Sequence, residues 1–471
     1  MKQIKIALCA SCVAITINGC GGSGVSDQGT SKLLSATSTD ITSTSVSNKE
    51  NPHVIDAKTM VGWITDWKSH KPCDVKGKLI ILQVGEAFAS DKAHTFIRHD
   101  DKDVFTFNKA GGCSSTDPMF DRTDGVQVIP KAVLSGQMMD GALQMYGIDP
   151  LNDMLLIVAG GADSAKGMAE NSAATARFAW SMRYWGIRHY AVLDGNIQYM
   201  LNPETNADLA VSLDDLFTVE ASVPPMNGTH SIKEVKTMDQ SVMATLEEMV
   251  NAVKNCPADS FILDARSADE YLANHDVKMS KTEMKICGPD HNGQCYTAFE
   301  GHIKGAVNIE YTDFIRTDDA TSDANGDGKV DRLDASYRFK TPAEMMKLLT
   351  QNGFDPKCQT LYTYCRTGTR AALPAFVGMD ILHLKTRLFD GSWIEWGRLA
   401  GRPDTADVNG NILLRSDSPW RTDIPALTEK ITYNPSEMVA PRVREGSPLE
   451  SDQYACHTDK IKKDDRNYLC R

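Results

Sequence analysis

Apolar residues in this chain come in short unbroken runs bounded by turn formers, and the runs recur in a fixed order. LIILQV occupies 79–84, MLLIVA 154–159, and AVL leads into Asp-Gly at 194–195. Further on, FILDAR occupies 261–266, LYTYC 361–365, and RLF leads into Asp-Gly at 390–391. Runs of that length between Gly, Pro, Asn and Asp read as buried strands, and the stretches between them are long enough for helices. Alternating strands and helices predict an α/β fold with a mainly parallel sheet.

The order predicts that this sheet is built twice. GIDPLNDMLLIVA, from Gly147 to Ala159, aligns without a gap on GFDPKCQTLYTYC, from Gly353 to Cys365. Each segment begins with a Gly-x-Asp-Pro turn and enters a strand-like run. The copies differ at one telling place, because Ala159 stands where the second copy has Cys365. The path from Ala159 to Asp194 is also ten residues longer than that from Cys365 to Asp390. The first copy therefore reads as a scaffold and the second as the working one.

Composition narrows the function. The 471 residues carry a formal net charge of −12, and no Lys/Arg run follows the first residues, which argues against nucleic acid as a partner. Nothing after residue 20 is apolar for long enough to span a bilayer. Residues 1–19, with Lys2 and Lys5 before an apolar stretch, have a signal-peptide layout, and the Ile-Asn-Gly-Cys ending resembles a lipobox with Cys20 as the lipidated residue. Residues 20–52 are rich in Ser, Thr and Gly and read as a flexible tether. The expectation is a protein of a bacterial cell envelope, lipid-anchored on the periplasmic or outer-membrane side.

Twelve cysteines sharpen that picture. Cys9 and Cys12 leave with the signal, and Cys20 takes the lipid. Cys73, Cys113, Cys256, Cys287, Cys295, Cys358, Cys456 and Cys470 form an even set suited to disulfides in an oxidising compartment. Proximity favours Cys287–Cys295 and Cys456–Cys470, leaving Cys73–Cys113 and Cys256–Cys358. Cys365 is then unpaired, which points to chemistry.

Its setting agrees. Cys365 would sit at the carboxyl end of a parallel strand, where open α/β sheets hold ligands. The helix predicted from Arg370 (RAALPAFVGMDIL) would point its N-terminus at the loop, and Arg366 and Arg370 add full positive charge. Gly368 lets the loop curl so that successive N–H groups face the sulfur. Such surroundings favour a negative sulfur, thiolate or persulfide.

CRTGTR, followed by a helix and LFDGSWIEW, closely resembles the active-site region of the rhodaneses, the thiosulfate sulfurtransferases. FILDARSADEY and GHIKGAVNI resemble two further signatures of that domain, and ATARFAWSMRYWGIRHYAVLDG resembles the non-catalytic domain of two-domain members. The resemblance implies two rhodanese-like domains, at 53–225 and 226–425, each a mainly parallel sheet flanked by helices. It implies a sulfurtransferase in which Cys365 is catalytic, with Arg366, Thr367, Gly368, Thr369 and Arg370 binding the sulfur group. The donor would be a small sulfur-containing anion, polysulfide or thiosulfate, and the acceptor a thiol, cyanide or a protein. Two positions depart from the thiosulfate enzymes: Thr367 and Glu270 replace cationic residues, which weighs against thiosulfate. The loop also lacks the Cys-Gly-Ser-Gly-Val-Thr pattern of mercaptopyruvate enzymes.

Rival readings are weaker. Cysteine phosphatases and arsenate-type oxyanion enzymes use a Cys-x5-Arg loop, one residue wider than Cys365-x4-Arg370, and Tyr364 stands where they place histidine. A non-enzymatic envelope scaffold would not need the retained nucleophile loop. Asp264 and Arg266 are expected at the base of the site, as substrate-binding or purely structural residues. His302 is expected to hold a turn, and Trp393 and Trp396 to pack in the core. DANGDGKVDRLD, 323–334, has the spacing of an EF-hand loop, predicting a structural calcium ion on Asp323, Asn325, Asp327, the Lys329 carbonyl, Asp331 and Asp334. No organic cofactor is implied, and ACHTDK lacks the second cysteine of a haem site. Residues 426–471 form a polar tail.

Overall fold

The computed structural model describes residues 53–88, 91–108, 122–124, 128–129, 131–255, 257–272, 301–400 and 459–470. The signal and tether segments with Cys20, the tail up to residue 458, and Cys113, Cys256, Cys287, Cys295 and Cys456 lie outside them. Each expected disulfide therefore has at least one member beyond the described residues, while Cys73, Cys358 and Cys470 are exposed.

Every predicted run becomes a strand. The first sheet holds β1 (Val54–Ile55), β2 (Leu79–Val84), β3 (Val104–Asn108), β4 (Met154–Ala159) and β5 (Tyr190–Asn196), in the order β1-β5-β4-β2-β3. The second holds β6 (Met243–Ala244), β7 (Ser260–Asp264), β8 (Val307–Asn308), β9 (Thr360–Tyr364) and β10 (Thr386–Phe389), in the order β6-β10-β9-β7-β8. Both orders are the same when strands are counted within each half, and all eight pairings are parallel. The duplication read from the two Gly-x-Asp-Pro turns is thus a duplication of topology. All-parallel strands are covered on both faces, which is why β2 and β4 are apolar runs without alternation and wholly buried.

The covering helices include α1 (Gly136–Tyr146), α2 (Ala165–Trp185), α3 (Leu246–Asn255), α4 (Ala372–Phe376), α5 (Ser392–Ala400) and α6 (Lys460–Leu469). Ser164 caps α2 by accepting from the Gly167 N–H, and Gly186 ends it at φ 79°, a left-handed conformation that suits glycine. The single helix expected from Arg370 onward is shorter: α4 covers five residues and passes into a π-helical turn, Val377–Ile381. Pro374 lies in the first turn, and the regular ladder continues past it with the Ala375 N–H on the Ala371 carbonyl at 3.1 Å. The wider turn begins at Val377, whose carbonyl accepts from the Leu382 N–H at 2.8 Å.

α2 and α4 join the halves. Ala173, Ala176 and Trp180 share one apolar cluster with Ala372, Leu373, Phe376 and Cys365. The two Asp-Gly landmarks then cross over. Asp390 of the second half accepts from the Val133 N–H at 2.8 Å, and Asp194 of the first half accepts from the Phe339 N–H at 2.9 Å. Val133 and Phe339 each stand fourteen residues before their repeat's Gly-x-Asp-Pro glycine, so the contacts are equivalent. Both carboxylates are buried, and each has an arginine from the opposite half: Arg177 for Asp390, Arg338 for Asp194. The tail helix α6 docks on the first half, where Asp465 takes both guanidinium nitrogens of Arg122 at 2.7 and 3.0 Å.

Candidate active site

Strand β9 ends at Tyr364 and delivers Cys365 to the carboxyl edge of the second sheet, as the run of apolar residues predicts. The loop is pinned from both sides. The Cys365 carbonyl accepts from the Trp393 N–H at 2.9 Å, and the Cys365 N–H donates to Ser392 Oγ at 3.3 Å. Gly368, at φ 87°, turns its N–H onto Cys365 Sγ at 3.1 Å. A Cβ there would stand 3.0 Å from both Arg177 Nη1 and Asp390 Oδ1, a tight approach, and the positive φ favours glycine. Cys365 is 1% exposed, and Thr367 and Thr369 are half-buried members of the same loop.

The expected nest is narrower than the sequence implied. Gly368 supplies the hydrogen bond to sulfur, whereas the Ala372 and Leu373 N–H groups donate to carbonyls of Gly368, Thr369 and Arg370. The first turn of α4 is therefore taken up by the loop's own backbone. Charge differs too. Arg366 and Arg370 do not stand as isolated cations: Glu270 accepts from Arg370 at 2.7 and 2.9 Å and from Arg366 at 2.9 Å. Burial alone would raise the Glu270 carboxyl, but the hydrogen bonds and charge of Arg370, with Arg366 and Arg266, hold it well below the usual carboxylate range. Glu270 in turn holds Arg370 more firmly protonated, against the effect of burial. A carboxylate thus sits between the two guanidiniums beside the sulfur.

Asp264 and Arg266 lie beneath this layer, both fully buried. Arg266 meets Asp264 at 3.0 and 2.7 Å, donates to the Gly301 carbonyl, and stacks 4.9 Å from the Trp393 ring. Tyr364 completes the unit by donating to Asp264 at 2.6 Å and accepting from the Ile303 N–H at 3.1 Å. These geometries make the pair a positioning element under the loop. His302 bonds the Tyr271 carbonyl at 3.0 Å and stacks on its ring at 3.8 Å, holding a turn. Trp393 and Trp396 are core residues.

The 323–334 loop takes EF-hand-like turns. Asp323 accepts from the Gly326, Asp327 and Gly328 N–H groups at 2.7–3.1 Å, and Asp334 accepts from Ala324, Asn325 and Asp331. Asn325 and Asp327 accept in the same way from Asp327 and Lys329, and Asp331 from Leu333. The carboxylates are not drawn together: among the described residues, the set of His, Cys, Asp and Glu whose donor atoms all lie within 4.8 Å is Asp149, His230 and Glu234.

With this geometry in place, relatives can be compared. The chain matches the rhodanese-like domain family over 245–399. That match spans β7 to β10 of the second sheet and the Cys365 loop. A putative thiosulfate sulfurtransferase of Mycolicibacterium smegmatis is 32% identical over 171 residues, covering 36% of this chain and 49% of that protein. The chain spans about half the length of the curated relatives it matches. Among solved structures, Tum1 of Saccharomyces cerevisiae is similar over 75% of this chain and 96% of its own, at 17% identity and TM-score 0.47. The 3-mercaptopyruvate sulfotransferase SseA of Escherichia coli is similar over 72% of this chain and 98% of its own, at 16% identity and TM-score 0.43. The fold assignment rests on the strand order together with the family match.

The matched segment carries partners that the motif alone did not reveal. Glu270 was legible as a departure from a cationic position, but not as the carboxylate that clamps Arg366 and Arg370. Asp390 and Ser392 lie in the LFDGSW signature, whose spacing gave no hint that Ser392 holds the Cys365 N–H or that Asp390 reaches the first half. Arg177 carried no signal of its own.

Proposed function

We propose that the protein is a sulfurtransferase that moves a sulfane sulfur through a persulfide on Cys365. The observation that carries this reading is the Gly368 N–H bond to Cys365 Sγ at 3.1 Å, within a loop closed after six residues by Arg370. The loop is one residue shorter than the phosphatase type. In the first step the Cys365 thiolate attacks the outer sulfur of the donor. The donor's S–S bond breaks and its electron pair leaves on sulfite or a shortened polysulfide. In the second step the acceptor's nucleophile takes the outer sulfur, and the Cys365 thiolate returns. Intact mass spectrometry tests this: polysulfide or thiosulfate should add about 32 Da, removable by cyanide or a small thiol. Turnover of an aryl phosphate without any such gain would promote the oxyanion-enzyme reading instead.

Glu270 sets the donor preference in this reading. Its negative charge opposes a dianion approaching Arg366 and Arg370, so polysulfide should load faster than thiosulfate. Glu270→Gln removes that charge and should raise the thiosulfate loading rate by about ten-fold, narrowing the gap. An unchanged ratio of the two rates would remove Glu270 from donor selection. The same residue has a pH signature. Its folded carboxyl lies well below the usual carboxylate range, so the clamp's stability is present above that range and is lost as pH falls through it. Wild type should therefore lose melting temperature more steeply than Glu270→Gln between about pH 5 and about pH 3.

Domains at 53–225 and 226–425, lipid at Cys20 and an envelope location belong to the same proposal. A lipid-modified N-terminal peptide starting at Cys20 would support them, and an unmodified one would count against the anchor. The 323–334 loop is proposed to take calcium. Ala324 and Leu333 accept from Asn202 and Gln198 of the first half at 3.1 and 2.9 Å, so an ion there would brace the seam. A chelator should lower the melting temperature of wild type and leave Asp323→Ala/Asp327→Ala unchanged. Equal insensitivity of both would leave the loop merely acidic.

A further inference from the structure

The first half has alanine where the second has its thiol, yet it reaches into the cysteine loop with a buried cation. Arg177 lies on α2 with its side chain 4% exposed. Its Nη2 pairs with Asp390 Oδ1 at 2.5 Å and donates to the Lys131 carbonyl at 3.1 Å, and its guanidinium covers the Trp180 ring at 4.5 Å. Nη1 is buried without a hydrogen-bond partner. That nitrogen is the one a Cβ on Gly368 would meet at 3.0 Å. An unsatisfied guanidinium N–H in the interior is unfavourable, so its position needs a reason beyond joining the halves.

We propose that Arg177 is a positioning residue for the Cys365 loop, so that the thiol-less half completes the site of the other. Its guanidinium fills the space beside Gly368 and keeps that residue's N–H aimed at Cys365 Sγ. Asp390 is the fixed point. Its Oδ1 holds Arg177 and its Oδ2 holds the Val133 N–H, both groups of the first half. Two residues later Ser392 Oγ accepts from the Cys365 N–H. The loop is thus gripped at Gly368 and at Cys365 by one assembly anchored across the seam. The counterpart pair, Arg338 with Asp194 at 3.0 Å, joins the seam at the other Asp-Gly without a thiol loop beside it. This gives the long helix of the first half a role although Ala159 stands where the second half has its cysteine.

This inference rests on Cys365 as the sulfur-carrying residue, and its test reads the loop directly. Hydrogen exchange followed by mass spectrometry on the full chain should show the Gly368 amide protected in wild type. In Arg177→Gln, peptides covering 366–370 should exchange about ten-fold faster while those covering β9 remain as in wild type. Sulfur transfer should lose about 10–100-fold in kcat, with KM for the donor within about two-fold. Arg177→Lys, which keeps the charge, should recover part of both. If Arg177→Gln does not fold, Arg177→Gln/Asp390→Asn leaves no unpaired buried charge and is read in the same way. Unchanged exchange at 366–370, or faster exchange spread evenly over the second half, overturns the assignment. Wild type that loads no sulfur but shows the local exchange effect would sink the sulfurtransferase reading alone.

Discussion

Cys365→Ala is expected to abolish sulfur loading from every donor while leaving the fold in place. The thiol is the atom to which the transferred sulfur binds, so no neighbouring group can substitute for it. The side chain is small and its Sγ receives one described hydrogen bond, from Gly368. Its removal leaves one amide partner short, and the backbone grip from Trp393 and Ser392 remains. Melting should therefore change by about 1–2 kcal/mol of stability or less, against a complete loss of the mass gain of about 32 Da. Cys73→Ala, Cys358→Ala and Cys470→Ala, at exposed positions, should load as wild type does. Loading that survives Cys365→Ala would move the nucleophile elsewhere and dissolve the proposed function.

The sequence was legible where a single element carries the information. Six apolar runs became the six inner strands of two sheets, because strands covered on both faces need no alternation and announce themselves by composition. Of the four edge strands, β1, β6 and β8 have two residues each and are too short to carry a pattern, while the five-residue edge strand β3, VFTFN, was not read from the sequence. The site was legible as far as the loop, because Cys365 to Arg370 are contiguous. Glu270 meets Arg370 across 100 residues of chain, and Arg177 meets Asp390 across the seam between the halves. Those contacts exist only once two sheets are folded and docked, so spacing along the chain does not encode them. The electrostatic expectation was incomplete for the same reason: two arginines in a row of six predict a cationic turn, and a distant carboxylate halves that charge without reversing it.

The same dependence on remote partners makes Arg266 the most sensitive position for stability. Arg266→Ala should destabilise the protein by about 3–5 kcal/mol, the usual result of breaking a buried ion pair from one side. At this chain's domain sizes that corresponds to a melting temperature lower by about 6–20 °C. The effect comes from what stays behind. Asp264 is fully buried and takes hydrogen bonds from Arg266 at 2.7 and 3.0 Å and from Tyr364 at 2.6 Å. Without the guanidinium its charge keeps the residue 266 backbone N–H, at 3.0 Å, and the Tyr364 hydroxyl in a site closed to water, and the carboxyl must either protonate or draw solvent in. Arg266 also donates to Gly301 and stacks on Trp393, so its loss loosens the segment after Gly301 and the start of α5 together. Since Trp393 holds the Cys365 carbonyl, sulfur loading should slow as well, through the loop and not through lost contact with the donor. A paired substitution, Arg266→Met with Asp264→Asn, strands no charge and should recover at least half of the lost stability. Thermal unfolding of the three proteins decides it: a single variant that melts within about one degree of wild type would mean that the pair is not sealed from water.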